Sequence, residues 1–276
     1  MQTIRVNDPR TNVKADIEQN HLVFKGPMRA TQQVHPADSY DLNQALWTIY
    51  PPSTRHITDR LVRVRVYLEV KADADFQLGS SDGPRQFPIH SITDVLTVQV
   101  NGETLSDNSG DKLHAMLAYG NTAADRVKTW STTAAMPDMY QQYADWQTYG
   151  SARNPLADYG ENAAEISRGG FAVQVVDART LRYVFTEPIM VSPFYSGLGL
   201  QEEGFANVNQ FQINYRWKSD LGSKAWSHSA AGNAITAVTA TFYQAPEILT
   251  TFLTPDLTQE IPLLQTLPYH KPQEFI

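Results

Sequence analysis

The run Leu61-Val62-Arg63-Val64-Arg65-Val66-Tyr67-Leu68-Glu69-Val70 constrains the fold more than any other stretch of the chain. Val62, Val64, Val66, Leu68 and Val70 fall on one face, and Arg63, Arg65, Tyr67 and Glu69 on the other. A strict period of two, carried by β-branched residues, is the pattern of a half-buried strand in an antiparallel sheet. The same reading extends along the chain. Asp94–Val100 ends at Asn101-Gly102, the dipeptide whose two positions suit the positive φ angles of a type I′ hairpin turn. Phe211, Ile213, Tyr215 and Trp217 alternate with Gln212, Asn214 and Arg216. Thr3–Val6, His21–Ala30, Phe171–Val176, Leu181–Val191, Ile235–Tyr243 and Ile248–Leu253 complete the expected strands, and Asp177-Ala178-Arg179 is a short hairpin loop. About ten strands separated by turn signals predict an all-β sandwich or barrel.

Two segments depart from this pattern. From about residue 110 to 160 the apolar period changes to that of a helix, through Leu113, Met116 and Leu117, then Val127 and Trp130, then Met136, Met139, Tyr143 and Trp146. Thr122-Ala123-Ala124-Asp125 resembles a capping box, and Pro137 suits a first helical position. The expectation is two or three short helices inserted in a β domain, their Met and aromatic residues serving packing. Residues 254–276 hold Pro255, Pro262, Pro268 and Pro272 among Ile261, Leu263, Leu264, Leu267, Tyr269, Phe275 and Ile276. Such proline spacing predicts an extended segment, and its apolar side chains need burial on the domain or on a neighbouring subunit. The organisation expected is therefore a domain over 1–253 and an extended C-terminal tail over 254–276.

Composition removes whole classes of function. With no cysteine there is no disulfide framework, thiolate zinc site or cysteine nucleophile. No apolar run is long enough for a membrane span, and Met1–Val13 lacks a signal-peptide pattern. A net charge of −7 argues against general nucleic-acid binding, so any such contact is expected to be weak. Only 18% of residues are charged, and a charge-poor surface rich in amide, hydroxyl and aromatic groups suits protein–protein packing.

The motifs that suggest chemistry have plainer readings. Gly79-Ser80-Ser81-Asp82-Gly83 spells G-x-S-x-G, yet polar Lys71–Asp75 precedes it and Pro84 follows where the helix of a nucleophile elbow should begin. His21, His35, His56, His90, His114, His228 and His270 never fall within metal-binding spacing of one another. Asp107-Asn108-Ser109-Gly110-Asp111 clusters oxygen ligands without the alternation of an EF-hand, and reads as a turn capping a helix. Arg55, Arg60, Arg63, Arg65 and Lys71 form the main basic concentration, expected to be solvated or to meet a neighbouring subunit. Arg5, Arg10 and Lys14 are too few to make a polybasic genome-binding arm. Gly197-x-Gly199 is not a dinucleotide fingerprint, and Glu202-Glu203 has no local support for an acid–base role. No catalytic, cofactor or metal residue is assigned.

The order of the pieces is similar to a known family. Ile57-Thr58-Asp59 leads into Leu61–Val70, followed by Ile89-His90-Ser91-Ile92 and by Val95–Val100-Asn101-Gly102. Leu113-x-x-x-Leu117-x-Tyr119, Phe171–Val176, Ser192-Pro193-Phe194, the Gly-rich Leu198–Gly204 loop and Val208–Trp217 come after. This resembles the jelly-roll region of major capsid proteins of polinton-type and related icosahedral viruses, over about Asn20 to Pro255. The resemblance implies an antiparallel jelly-roll sandwich with a helical insertion, a compact double jelly roll being the alternative. It also implies a virion protein that assembles with other copies of itself, as trimers, pentamers or a shell, and with other capsid proteins, without enzymatic activity. A receptor- or carbohydrate-binding β-sandwich module, using Tyr and Trp around 130–150, is the second reading. Deleting the tail is expected to leave a folded, assembly-defective domain.

Overall fold

The computed structural model describes residues 29–53, 55–76, 82–84, 88–108, 112, 171–191, 194, 204–228 and 234–254. Asn101 and Gly102 have φ of 49° and 96°, the paired left-handed conformations that a primed hairpin turn requires. They join β7 (Thr93–Val100) to β8 (Glu103–Asp107). That turn is the tip of a long antiparallel ribbon whose two arms stay paired as it rolls up. Beyond β7–β8, β5 (Arg63–Ala72) pairs with β10 (Thr180–Pro188), and β3 (Gln44–Ile49) pairs with β11 (Phe211–Trp217). At the open end β1 (Arg29–Pro36) pairs with β14 (Glu247–Thr254).

Rolling places alternate pairs of strands in opposite layers. One sheet runs β1–β14–β5–β10–β9, where β9 (Phe171–Asp177) is an added edge strand. In it β4 (Ile57–Thr58) lies beside β14, and β13 (Val238–Phe242) beside β5. The other sheet runs β2–β3–β11–β7–β8, with β2 spanning Ser39–Tyr40. A small ladder joins β6 (Asp82–Pro84) to β12 (Trp226–His228). This strand order is a single jelly roll. Among the described residues there is no second set of jelly-roll strands.

The alternation that identified the strands also builds the core between the layers. Val64, Val66, Leu68 and Val70 of β5 face inward with Leu181, Tyr183 and Phe185 of β10. Ala45, Trp47 and Ile49 meet them from β3, with Phe211, Ile213, Tyr215 and Trp217 from β11. The rings interlock: Trp47 lies edge-on to Tyr215 at 5.9 Å, and Tyr183 stacks on Phe185 at 5.5 Å. Burying each such side chain is worth about 1.5–3 kcal/mol, which makes this layer the principal stabilising element.

Some expected boundaries shift. Of the strand expected at His21–Ala30 only residues 29 and 30 are described, and they open β1 (Arg29–Pro36); residues 1–28, Thr3–Val6 among them, lie outside the described set. Strand β3 was not expected, although Ala45, Trp47 and Ile49 alternate there. Ile89–Ile92 belongs to a short buried helix, α1 (Pro88–Ile92), and a second, α2 (Leu221–Ala225), precedes β12. The helical insertion and the tail fall outside the described residues, apart from Lys112 and Thr254.

Candidate functional site

The two outward sheet faces have different chemistry, because the polar positions of each strand group by type. On the β5 sheet Arg65 and Lys71 are internally paired. Glu247 of β14 receives Arg65 at 3.3 Å and the Tyr67 hydroxyl at 2.8 Å. Glu69 receives Lys71 at 2.9 Å and Arg182 of β10 at 2.8 Å. The hydrogen bonds from Lys71, then Arg182, hold the Glu69 carboxyl below its ordinary range. Arg182 also lies over the Tyr243 ring at 5.0 Å, and Tyr243 is edge-on to Tyr67 at 5.8 Å. Strands distant in sequence bring these partners together, so cations that looked free locally belong to a lattice of charge across the sheet.

Arg60 requires a firmer correction. It is 2% exposed, and its guanidinium lies 5.4 Å from the centre of the Phe205 ring. Its stem follows Thr58, whose backbone exchanges two 2.8 Å hydrogen bonds with Phe205, so the turn after β4 draws the side chain inward. The expected solvated or subunit-facing role does not hold for it.

The outward face of the second sheet is nearly free of charge. Thr48, Gln212, Gln99 and Thr104 form one row across the strands, and Leu46, Asn214, Thr97 and Ser106 form the next. Thr97 and Ser106 hydroxyls share a 2.9 Å hydrogen bond. Arg216 stands at the margin, 3.6 Å from Asp94. Among the described residues these rows make a face built mainly of amide and hydroxyl groups.

The remaining candidate residues do not converge on a reaction centre. Asp82–Pro84 is a strand, where a nucleophile elbow requires a helix; residues 79–81 and 202–203 are outside the described set. Asp107 ends β8 on its core side, and Lys112 reaches its carboxylate at 3.0 Å. His56 Nδ1 is 2.7 Å from the Ser53 hydroxyl, and His35 Nε2 is 2.9 Å from the Thr250 hydroxyl. Burial lowers the pKa of His35. Among the described residues no three His, Asp or Glu side chains could share a metal ion.

Three polar residues that the sequence analysis did not single out hold distant elements together. Glu187 sits on the apolar face of β10, buried, where Leu181, Tyr183 and Phe185 set the alternation. Its carboxylate accepts the Ile89 and His90 backbone N–H groups at 3.1 Å each, and His90 Nδ1 lies 2.6 Å away. An acid at an apolar position was the readable signal. Arg182 is the second, on the opposite face of the same strand.

Asp73, just after β5, is the third. It accepts the Thr236 N–H at 2.9 Å, the Ala237 N–H at 3.2 Å, and the Thr236 hydroxyl. These bonds, the hydroxyl first, lower its pKa from 3.8 to about 2. The unfolded chain takes up this proton near pH 3.8, whereas the folded chain resists it until about pH 2. The stability Asp73 contributes is therefore complete above 3.8 and is lost as the pH falls toward 2. Carboxyl titration by NMR should place its midpoint near 2, and Asp73→Ala should flatten this part of the acid-unfolding profile. An unchanged profile would mean that the loop is held by other contacts.

Comparison with known proteins places this architecture. Residues 1–180 match the family model of the Sputnik virophage major capsid protein first domain. A putative capsid protein V20 of Sputnik virophage is 28% identical over 292 aligned residues, covering 98% of this chain and 48% of that protein. In the cryo-EM structure of the Sputnik virophage, a chain superposes with a TM-score of 0.64 at 25% identity, covering 95% of this chain and 54% of the other. The mavirus major capsid protein shares the fold, with a TM-score of 0.54, 16% identity, and coverage of 95% and 54%. The chain spans about half the length of the relatives it matches.

Proposed function

The chain belongs to the Sputnik virophage major capsid protein family, and on that premise we propose that it is a shell-building protein of the virion. The carrying observation is the family match over residues 1–180, which includes the ribbon from β1 to the start of β10. The chemistry of the surface supports this reading. A sandwich with one charge-poor sheet face can bury that face against a neighbour while desolvating few ions, and repeated identical contacts close a shell by symmetry.

In this reading the protein acts through contacts with other copies and other capsid proteins, with no catalytic step and at most weak nucleic-acid contact. The jelly roll is the structural unit, and residues 255–276 are a strap laid on a neighbouring copy. No helix among the described residues is long and apolar enough to cross a membrane.

The full chain, concentrated at moderate salt, should sediment as trimers, pentamers or larger assemblies and give rings or shells in negative stain. A chain lacking residues 255–276 should retain its far-ultraviolet circular dichroism and lose the large species. A full chain that stays monomeric over a wide range of concentration and pH would refute the shell-building proposal. Normal assembly of the truncated chain would refute the strap.

A further inference from the structure

Asn101 and Asn207 are the two non-glycine residues with positive φ among the described residues, and they meet at one corner of the jelly roll. The Asn101 side chain leaves the β7–β8 turn and grips the segment that enters β11. Its Nδ2 donates to the Asn207 carbonyl at 2.9 Å, and its Oδ1 accepts the Asn209 N–H at 2.8 Å and the Gln210 N–H at 3.4 Å. The Asn101 backbone N–H adds a bond to the Gln210 carbonyl at 3.0 Å. The same segment is fixed to the other sheet by Phe205, which bridges to Thr58. Residues 204–210 thus strap the two layers together, and one amide side chain supplies most of the fastening at the β7–β8 end.

That amide is followed by glycine. Asn101-Gly102 is the one Asn-Gly pair in the sequence, and both residues are exposed. A glycine amide nitrogen carries no flanking side chain to obstruct attack on the preceding side-chain carbonyl carbon. We propose that Asn101 is a site of spontaneous deamidation, and that its conversion loosens the 204–210 strap irreversibly.

The Gly102 nitrogen loses its proton and bonds to Asn101 Cγ, and the Cγ–Nδ2 bond breaks to release ammonia. Water then opens the resulting succinimide at either carbonyl, giving aspartate or isoaspartate. No oxidant or further cofactor is needed.

The fold regulates this step. Ring closure needs the Asn101 side chain to turn toward its own backbone, so its bonds to Asn207, Asn209 and Gln210 must open first. Folding therefore slows the reaction by the fraction of time the latch is closed. The two products differ in consequence. Aspartate keeps an acceptor for Asn209 and Gln210 but places a carboxylate against the Asn207 carbonyl. Isoaspartate adds a backbone methylene to the hairpin turn and withdraws the side chain from all three partners.

The full chain, incubated at 37 °C in mildly alkaline buffer and then peptide-mapped, should gain the mass of an amide-to-acid exchange first at residue 101. In denaturing urea the same site should convert at least about tenfold faster, the factor expected for a latch closed nine-tenths of the time or more. Hydrogen exchange over 204–210 should accelerate in the converted fraction. Asn101→Gln, whose longer side chain closes a less favoured ring, should stay unconverted under both conditions, and Asn101→Asp should reproduce the partial loosening. Conversion confined to urea would overturn the proposal that this is a modification site of the folded protein. Equal rates in folded and unfolded chains, or conversion with unchanged exchange over 204–210, would overturn the latch. None of these readouts depends on assembly, so they stand apart from the shell-building proposal.

Discussion

Replacing Glu187 with alanine is expected to destabilise the protein by about 3–5 kcal/mol, the cost of leaving several buried donors without their shared acceptor at about 1–3 kcal/mol each. At this chain length that lowers the melting temperature by roughly 10 °C. Glu187 and His90 are each 1% exposed, so water cannot take over from the carboxylate once it is removed. Truncation strands the Ile89 and His90 N–H groups at the start of α1, and the His90 ring loses its 2.6 Å partner. Since whole domains are stable by only 5–15 kcal/mol, the substitution removes a large share of the total. Urea midpoints at neutral pH provide the measurement. The paired change Glu187→Met with His90→Leu should recover part of the loss, because it removes both buried polar partners together and leaves the backbone groups as the remaining cost. A loss below about 1 kcal/mol in the single variant would show that α1 docks without this carboxylate.

The same residue marks the limit of what the sequence discloses. Strand β5 was legible because every inward position from Val62 to Val70 is apolar and every outward one is polar or amphipathic. Strand β11 was legible to the residue for the same reason, and Asn101-Gly102 was legible because positive φ at two successive positions restricts the residue choice. Strand β1 carries no such record. Its order is set by pairing with β14, more than 200 residues away, with His35 bonded to Thr250 across the ladder. Its outer positions are exposed, so no apolar alternation is required of Gln32, Val34 and Pro36. Strands β13 and β14 were read as neighbours in sequence. In the fold both line the same side of β5, with residues 243–246 bulging between their ladders.

Charge was least legible of all. Arg63, Arg65 and Lys71 form a basic run in sequence, but the carboxylate that receives Arg65 lies 182 residues away, and the arginine that shares Glu69 with Lys71 lies 113 residues from it. The jelly roll converts apparent local excess into an interlocked lattice on one face and leaves the other face poor in charge. Only the pairing of strands creates that contrast, and the assembly proposal draws on it.

Gly222→Ala should destabilise the fold even though it replaces a helical glycine by the strongest helix former. In an open helix the change would gain about 1 kcal/mol. Helix α2 is already well started, since Asp220 Oδ1 accepts the Ser223 N–H at 3.3 Å, and extra helix propensity has little left to correct. The controlling contact is with β13. A Cβ on residue 222 would stand 2.0 Å from the Val238 carbonyl oxygen, 2.6 Å from its carbon and 2.9 Å from the Thr239 Cα. These are backbone atoms, so no rotamer change relieves the overlap. Either α2 tilts out of the core, taking Leu221 and Ala225 with it, or β13 moves away from its ladder with β5 between Val238–Ala72 and Phe242–Leu68. Overpacking against a rigid neighbour costs about 3 kcal/mol or more at the upper end of its range, which outweighs the propensity gain. The net loss of about 2 kcal/mol should lower the melting temperature by roughly 4–8 °C. Lys224→Ala, at an exposed position of the same helix, isolates propensity from sterics and should change the melting temperature little. A melting temperature that holds or rises in Gly222→Ala would mean that α2 and β13 do not approach this closely in solution.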